Sequence, residues 1–332
     1  MPTPESTVLE AAATSVHPGV ATAVRDESDT EARTFLPISR ILCPIDFSEW
    51  SRAAVDRAVA LAGPNRAEIT GVFVLPATSP ARGTPACPCA LEADANMTSA
   101  IAEDIEEFFG PARKAGLTIH VSVRRGDSVA QIVDQARETD ADVIVMGTHG
   151  RSGVERWVVG SVLDGVLRKA PCPVLAVPRR LVRSTRPEPV HPRILCAVGL
   201  SERSPYTLSY ALELARWTTS LVTVLHVADD LGGPRARVIW EGEQRERLHA
   251  SVPPGRPCEE VVLSGAAHRQ ILRLAEAEQA GLIVLGSGGG GLGPIASRVV
   301  REAKAPVLIV PFPSDEGRWP VRKEESCAVL TS

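Results

Sequence analysis

The sequence predicts an α/β protein made of two tandem copies of one doubly wound domain, each with an open, parallel, five-stranded sheet. The first observation is an internal repeat, because RILC at residues 40–43 returns at residues 193–196, and PVLAVP at residues 173–178 returns as PVLIVP at residues 306–311. The second is that short apolar runs alternate with segments of helical period in each copy, which favours a parallel sheet with helices on both faces. The third is size, since 332 residues with 44% hydrophobic content suit two packed domains.

The repeat sets the domain boundaries. The first domain is predicted at residues 36–178 and the second at residues 191–313, with a linker at residues 179–192 that contains four Arg and three Pro. Residues 1–35 lack an apolar period and are predicted to be a disordered N-terminal tail, and residues 314–332 form a polar C-terminal tail.

The sequence of the first copy predicts the elements in the first half of each domain. Residues 41–45 form a buried strand, and Ser48 is a suitable N-cap for the helix that follows it. Residues 69–74 form the second strand, and residues 119–123 alternate as the third.

The second half of the domain supplies the remaining elements. Residues 126–128 open an amphipathic helix, and residues 143–146 form a continuous apolar strand of the kind found at the centre of parallel sheets. Ser161 starts another helix, and residues 174–177 form the last strand. Ligands in such sheets bind beyond the carboxyl ends of the strands, so the loops after strands one and four are the expected site.

Composition excludes several classes of protein. A net charge of −4 and 4% aromatic residues argue against a nucleic-acid partner. We find no run of about 18–20 apolar residues that would span a membrane, and no N-terminal secretory signal. Seven scattered cysteines do not resemble a disulfide framework, so the sequence predicts a soluble, cytoplasmic protein.

The cysteines and histidines do not assemble into a recognisable catalytic or metal centre. Cys87 and Cys89 are predicted to be exposed loop thiols, since two thiols supply only half of a tetrahedral zinc site. Cys43, Cys172 and Cys196 stand beside apolar strand residues and are predicted to be small core residues. No Ser–His–Asp or paired-carboxylate arrangement is visible, so the sequence predicts no catalytic residues and no metal ligands.

The loop after the fourth strand is rich in glycine. Gly147, Gly150 and Gly160 would let a polyphosphate approach the backbone, and Ser161 could act as an N-cap and offer a hydroxyl to phosphate. The same residues also fit a flexible strand-to-helix loop with a capping serine, and physical reasoning alone leaves both interpretations open.

The pattern Gly147-x2-Gly150-x9-Gly160-Ser161 resembles the nucleotide-binding signature of the universal stress proteins. Residues 41–48 resemble the first strand and turn of that family, and residues 170–175 resemble its approach to the last strand. The resemblance covers both copies and implies a Rossmann-like fold of the adenine nucleotide alpha hydrolase type. It also implies that the protein binds ATP, with or without Mg²⁺, in the first domain.

The resemblance assigns expected roles to positions of the first copy. Asp46, with Pro44 and Ile45 before it, would lie near the adenosine, although Asp46 could instead cap the next helix. Val74 would line the adenine pocket and Met146 would lie beneath the nucleotide. The residues expected around ribose and phosphates are Gly147, His149, Gly150, Arg151, Gly160, Ser161 and Val162.

The second copy departs from this pattern. Gly199 stands where the first copy has Asp46, and Pro294 stands where it has Ser161. Proline is acceptable in the first turn of a helix but offers neither an amide nor a hydroxyl to a phosphate. We therefore expect the loop of the second domain to be degenerate for nucleotide binding.

Three hypotheses for function remain at this point. The first is a nucleotide-binding stress-response or regulatory protein with an unknown protein partner. The second is a slow ATP-hydrolysing or adenylate-handling enzyme on the same scaffold, and the third is an interaction module that binds no nucleotide.

We also predict an intramolecular pseudo-dimer in which residues 174–177 and residues 307–309 pair antiparallel, because unpaired apolar sheet edges favour pairing with another strand. A homodimer is the alternative.

Overall fold

The computed structural model describes residues 38–76, 88–149, 160–178, 193–228, 234–288 and 291–312. Both predicted tails, the predicted linker, Cys87, Gly150 and Arg151 lie outside these residues.

The first repeat has the predicted alternation of strands and helices. Its elements are β1 (Arg40–Pro44), α1 (Glu49–Asn65), β2 (Glu68–Leu75), α2 (Pro88–Phe108), α3 (Gly110–Lys114), β3 (Ile119–Arg125), α4 (Ser128–Glu138), β4 (Val143–Gly147), α5 (Ser161–Lys169) and β5 (Val174–Val177). The predicted strands are confirmed, with shifts of one or two residues at some ends. Helix α2 was missed, and its Pro88 and Cys89 belong to a helix rather than to the predicted loop.

The second repeat has the same order of elements with one helix fewer. They are β6 (Arg193–Val198), α6 (Ser204–Thr218), β7 (Leu221–Ala228), α7 (Pro234–Ser251), β8 (Glu259–Ser264), α8 (Ala267–Ala277), β9 (Leu282–Gly286), α9 (Pro294–Glu302) and β10 (Val307–Val310).

The first residues of the helices can be compared with the predicted N-caps. Ser48 is the N-cap of α1, and its side chain accepts a hydrogen bond of 3.2 Å from the Ser51 amide. Asp127 caps α4 in the same way through the Ala130 amide. The prediction that Ser161 is an N-cap is wrong, because Gly160 occupies that position and Ser161 is the first residue of α5. Gly160 has no side chain, so no side-chain hydrogen bond caps this helix.

All ten strands belong to one sheet, in the order β3-β2-β1-β4-β5-β10-β9-β6-β7-β8. The strands within each repeat pair parallel, as predicted. The two predicted five-stranded sheets are joined into one, because β5 and β10 pair antiparallel with Leu175 opposite Leu308. The predicted pairing of these edge strands is confirmed, and it gives the backbone groups of both edges a partner.

Helices cover both faces of the sheet, as a doubly wound fold requires. One apolar core lies between the sheet and α1, α2 and α3 of the first repeat together with α6 and α7 of the second. The other lies between the sheet and α4, α5, α8 and α9. Successive β1 residues alternate between the two, since Ile41 and Cys43 face the first core and Leu42 faces the second. In the described part of the chain, no helix is both long and apolar enough to cross a membrane.

Candidate functional site

The candidate site lies at the carboxyl ends of β1 and β4. Strand β1 is flanked by β2 on one side and by β4 on the other, so the chain leaves β1 in one direction and later returns on the opposite side. The connections diverge at this point and leave a crevice, which is where open α/β sheets bind their ligands. The sequence-predicted site residues of the first repeat that the structure describes lie in the elements around this crevice.

The turn after β1 carries Asp46. Its Oδ1 accepts a hydrogen bond of 3.0 Å from the Ser48 amide, so the aspartate helps to form the turn that leads into α1. Asp46 therefore has the turn role that the sequence left open as an alternative, but it does not cap α1, because Ser48 is the N-cap of that helix.

Aromatic packing holds this turn in an unusual conformation. Phe47 has a positive φ of 61°, which is uncommon for a residue with a side chain. Its ring packs 5.3 Å from the ring of Phe73 and 5.6 Å from that of Phe108. These contacts stabilise the strained backbone beside Asp46.

The turn after β4 is joined to the start of α5 by backbone hydrogen bonds. The Thr148 amide donates to the Val177 carbonyl at 3.1 Å, and the Gly160 amide donates to the Thr148 carbonyl at 3.0 Å. Thr148 itself is buried. The first turn of α5 therefore lies directly against the end of β4, although ten residues that the structure does not describe separate them in sequence.

Close packing against α1 shapes the other side of the β4 turn. A Cβ atom on Gly147 would lie 2.8 Å from Trp50 Cβ and 2.9 Å from the Trp50 backbone, so only glycine fits there. The Trp50 indole stacks on the His149 ring at 4.6 Å, and His149 Nδ1 lies 3.1 Å from Thr148 Oγ1. Sequence reasoning missed Trp50 and Thr148, whose proximity to the site depends on how α1 packs on the sheet.

The N-terminus of α5 offers backbone donors to a ligand. The Asp164 amide makes the first hydrogen bond of this helix, to the Gly160 carbonyl at 3.0 Å. The amides of Ser161, Val162 and Leu163 precede it and are directed beyond the helix end, where an anion is favoured. Ser161 is exposed, so its hydroxyl is accessible at the same end.

Apolar side chains form one wall near these donors. Val74 and Val162 are half-buried and pack against the core that contains Met146. Ile45 packs in the opposite core, on the α1 face, so it contributes to the crevice only through its backbone. Pro44, the last residue of β1, is buried beside it.

The described residues contain no group of three His, Cys, Asp or Glu side chains that could hold a metal ion. If ATP brings Mg²⁺ to this site, phosphates and water can coordinate the ion, which is a common mode of magnesium binding.

An open parallel α/β sheet with a crevice between diverging connections, a glycine-bounded turn and a helix N-terminus defines a Rossmann-like class of protein. The family model for the universal stress protein family matches residues 37–178 and again residues 191–311. The chain belongs to the universal stress protein family.

Relatives agree with this assignment. A universal stress protein of Mycolicibacterium smegmatis is 27% identical over 290 residues, which cover 81% of this chain and 96% of the relative. One of Methanocaldococcus jannaschii is 33% identical over 143 residues, covering 42% of this chain and 81% of the relative. The crystal structure of a universal stress protein from Archaeoglobus fulgidus has a TM-score of 0.61 at 22% identity and covers 85% of this chain and 99% of its own, which supports the fold.

Proposed function

We propose that the protein is a nucleotide-binding regulatory protein of the stress response and that its first repeat binds ATP. The observation that carries the proposal is the contact between the Gly160 amide and the Thr148 carbonyl, at 3.0 Å. This contact brings the amides of the α5 N-terminus to the same edge of the sheet as Asp46 and the β4 turn.

Each part of the crevice suits one part of ATP. The α5 amides and the Ser161 hydroxyl would donate to phosphate oxygens, because a helix N-terminus favours negative charge. Asp46 would accept hydrogen bonds from ribose hydroxyls, and Val74, Met146 and Val162 would contact the base. Roles for Gly150 and Arg151 in holding phosphates remain predictions from the sequence resemblance.

Binding rather than rapid catalysis fits the chemistry of the described residues. Asp46 is the carboxylate of the turn after β1, and it already accepts from the Ser48 amide at 3.0 Å. His149 stacks on Trp50, which suits positioning of a ligand better than proton transfer at a reacting phosphate. Slow hydrolysis of ATP is the alternative activity, and phosphate release from the purified protein measures it directly.

Titration calorimetry with ATP tests the binding proposal. We expect one ATP per chain, because Gly199 and Pro294 replace Asp46 and Ser161 in the second repeat.

Substitutions at the start of α5 test the phosphate contacts. Gly160→Val should weaken ATP binding at least about tenfold. A Cβ at this position would lie 3.3 Å from the Thr148 carbonyl oxygen, and the branched side chain would crowd the phosphates. Ser161→Ala should cost about 1 kcal/mol through one lost hydrogen bond.

The repeat provides a matched control for this experiment. Gly293 is the N-cap of α9, as Gly160 is of α5, and a Cβ on Gly293 would meet no atom within 4 Å. Gly293→Val should therefore leave ATP binding unchanged. Two equivalent ATP sites, or full affinity in a folded Gly160→Val protein, would refute the assignment to the first repeat. A chain that binds no ATP at all would favour the interaction-module hypothesis.

A further inference from the structure

The second repeat contains a cavity at the position that corresponds to the crevice of the first. It has a volume of about 510 Å³ and lies beyond the carboxyl ends of β6 and β9, against the starts of α6, α8 and α9. This volume is in the range of small-molecule sites. Its walls are mainly aliphatic, and Val227, Ile271 and Leu285 are among the residues that form them.

The lining of this cavity is poorly suited to a nucleoside triphosphate. Among the described residues, it is lined by no Asp or Glu side chain that could accept from ribose hydroxyls, and Gly199 occupies the position of Asp46. Pro294 is the first residue of α9 and has no N–H, which removes one donor from the helix N-terminus. The cavity is therefore better suited to a ligand that has less charge and fewer hydroxyl groups than a nucleoside triphosphate.

The positively charged side chain of Arg203 forms part of the cavity wall. Arg203 occupies the position that Trp50 has in the first repeat, and its guanidinium carbon lies 4.7 Å from the centre of the Phe312 ring. Within the part of the chain that the structure describes, no carboxylate forms an ion pair with Arg203. The stacking orients a positive charge at the cavity, and that charge can pair with an anionic ligand.

The hydroxyl of Thr207 adds a second polar group to the cavity. Thr207 of α6 lines the cavity with only 5% of its surface exposed, and its hydroxyl makes no hydrogen bond to any of the described residues. A Cβ on Gly286, which also lines the cavity, would lie 2.6 Å from Thr207 Oγ1, so this oxygen points toward the end of β9. The first repeat has Ala54 at the corresponding position. The Thr207 hydroxyl can therefore donate to, or accept from, a polar atom of a ligand in the cavity.

We propose that this cavity binds a small organic monoanion, with an apolar body of aromatic size and a single carboxylate-like or sulfonate-like group. The body packs on the aliphatic walls, Arg203 pairs with the anionic group, and Thr207 hydrogen-bonds a polar atom of the body. The second repeat is then a binding site of different specificity rather than an inactive copy. This inference does not depend on ATP binding in the first repeat.

Two fluorescent probes with nearly the same body test the proposal on the full chain. One is 8-anilinonaphthalene-1-sulfonate, which carries one negative charge, and the other is N-phenyl-1-naphthylamine, which carries none. We expect the folded protein to bind the anionic probe at one site per chain, about tenfold more tightly than the neutral probe, as one charge-assisted contact allows. Arg203→Gln should remove this preference by weakening only the anionic probe.

Substitutions at matching positions of the two repeats show which repeat binds the probes. Val227→Trp should fill the cavity and abolish binding of both probes, whereas Val74→Trp, at the corresponding position of the first repeat, should leave both unchanged. Arg203 is exposed, so Arg203→Gln should keep the thermal unfolding midpoint of the parent and remain informative if Val227→Trp does not fold. The proposal is overturned if Arg203→Gln weakens both probes equally, or if Val74→Trp alone abolishes binding.

Discussion

At the scale of single residues, the buried cysteines confirm one prediction. Cys43, Cys172 and Cys196 are core residues with at most 1% of their surface exposed. Burial raises the pKa of all three thiols above the ordinary value, and for Cys196 burial, with a smaller effect of Cys258, raises the pKa to about 12. The charged thiolate is the form that reacts, so these thiols are expected to be inert at neutral pH.

The raised pKa of Cys196 makes stability depend on pH in alkaline solution. The folded thiol keeps its proton up to a pKa of about 12, whereas the unfolded thiol loses it near 9, so the free energy of unfolding falls between these values as pH rises. We expect the destabilisation caused by Cys196→Ala to be smaller at pH 10 than at pH 8, by about 1 kcal/mol. Urea unfolding at the two pH values measures this. Val198→Ala, a neighbouring truncation without a titratable group, should show no such change; an equal change in both variants would contradict the assignment.

Only some residues of the two candidate sites could be predicted from the sequence. Asp46, Gly147 and Gly160 could be proposed from the sequence because their spacing along the chain resembles a known signature. Trp50 and Arg203 occupy the same position of the repeat, but one stacks on His149 and the other on Phe312. Those partners are distant in sequence, so the contacts follow from helix packing and not from any local pattern.

At the scale of elements, α5 belongs to both halves of the molecule. Its first residues form part of the crevice of the first repeat, and Arg168 in its last turn reaches the loop of the second repeat. A Cβ on Gly291 would lie 2.7 Å from Arg168 Cγ, and Gly291 also has a positive φ of 123°. Asp164 pairs with Arg168 at 2.9 Å and holds the arginine along the helix.

Gly291→Ala should therefore be destabilising for two separable reasons, backbone strain and a clash with Arg168. We expect a loss of about 1–3 kcal/mol in the free energy of unfolding. In an Arg168→Ala background the loss should be smaller by at least about 0.5 kcal/mol, because the clash is gone and only the strain remains. A double-mutant cycle from urea unfolding gives this difference.

Gly255 provides the control for that cycle. It has a positive φ of 76°, but a Cβ there would meet no atom within 4 Å. Gly255→Ala should therefore be destabilising through strain alone and by the same amount with or without Arg168. Additivity of Gly291→Ala and Arg168→Ala would show that the two elements are not coupled.

Element boundaries were predictable where a strong local signal exists. The strands are continuous apolar runs, and Ser48 makes the predicted N-cap contact. Helix α2 also has a signal, because Ile101, Ile105 and Phe108 recur at helical spacing. It was missed because the Cys87-Pro88-Cys89 segment was interpreted as part of a long loop insertion. Ser161 was correctly predicted to start α5, but its predicted N-cap role was wrong because Gly160, which carries no capping side chain, takes the N-cap position.

At the scale of the whole molecule, the fold follows from the repeat. Each copy leaves one apolar strand, β5 or β10, at the edge of its own five-stranded unit. These strands are buried along their whole length in the joined sheet, and Leu175 and Leu308 are 1% and 3% exposed. The tandem arrangement could be predicted because one chain supplies two equivalent edges, whereas the register of the joint depends on packing of both cores and required the structure.

The register of this joint can be tested with a disulfide. Leu175 and Leu308 are direct antiparallel partners, and opposite residues in such a pair have Cα atoms about 4.5–5.5 Å apart, which suits a disulfide. The double variant Leu175→Cys and Leu308→Cys should form an intrachain disulfide in the monomer fraction, identified by mass spectrometry of the linked peptides. Val310 faces the same core two residues away, so the pair Leu175→Cys and Val310→Cys should crosslink far less. Linked peptides found only between two chains would mean that the edges pair across a homodimer, and equal yields from both pairs would mean that the register is wrong.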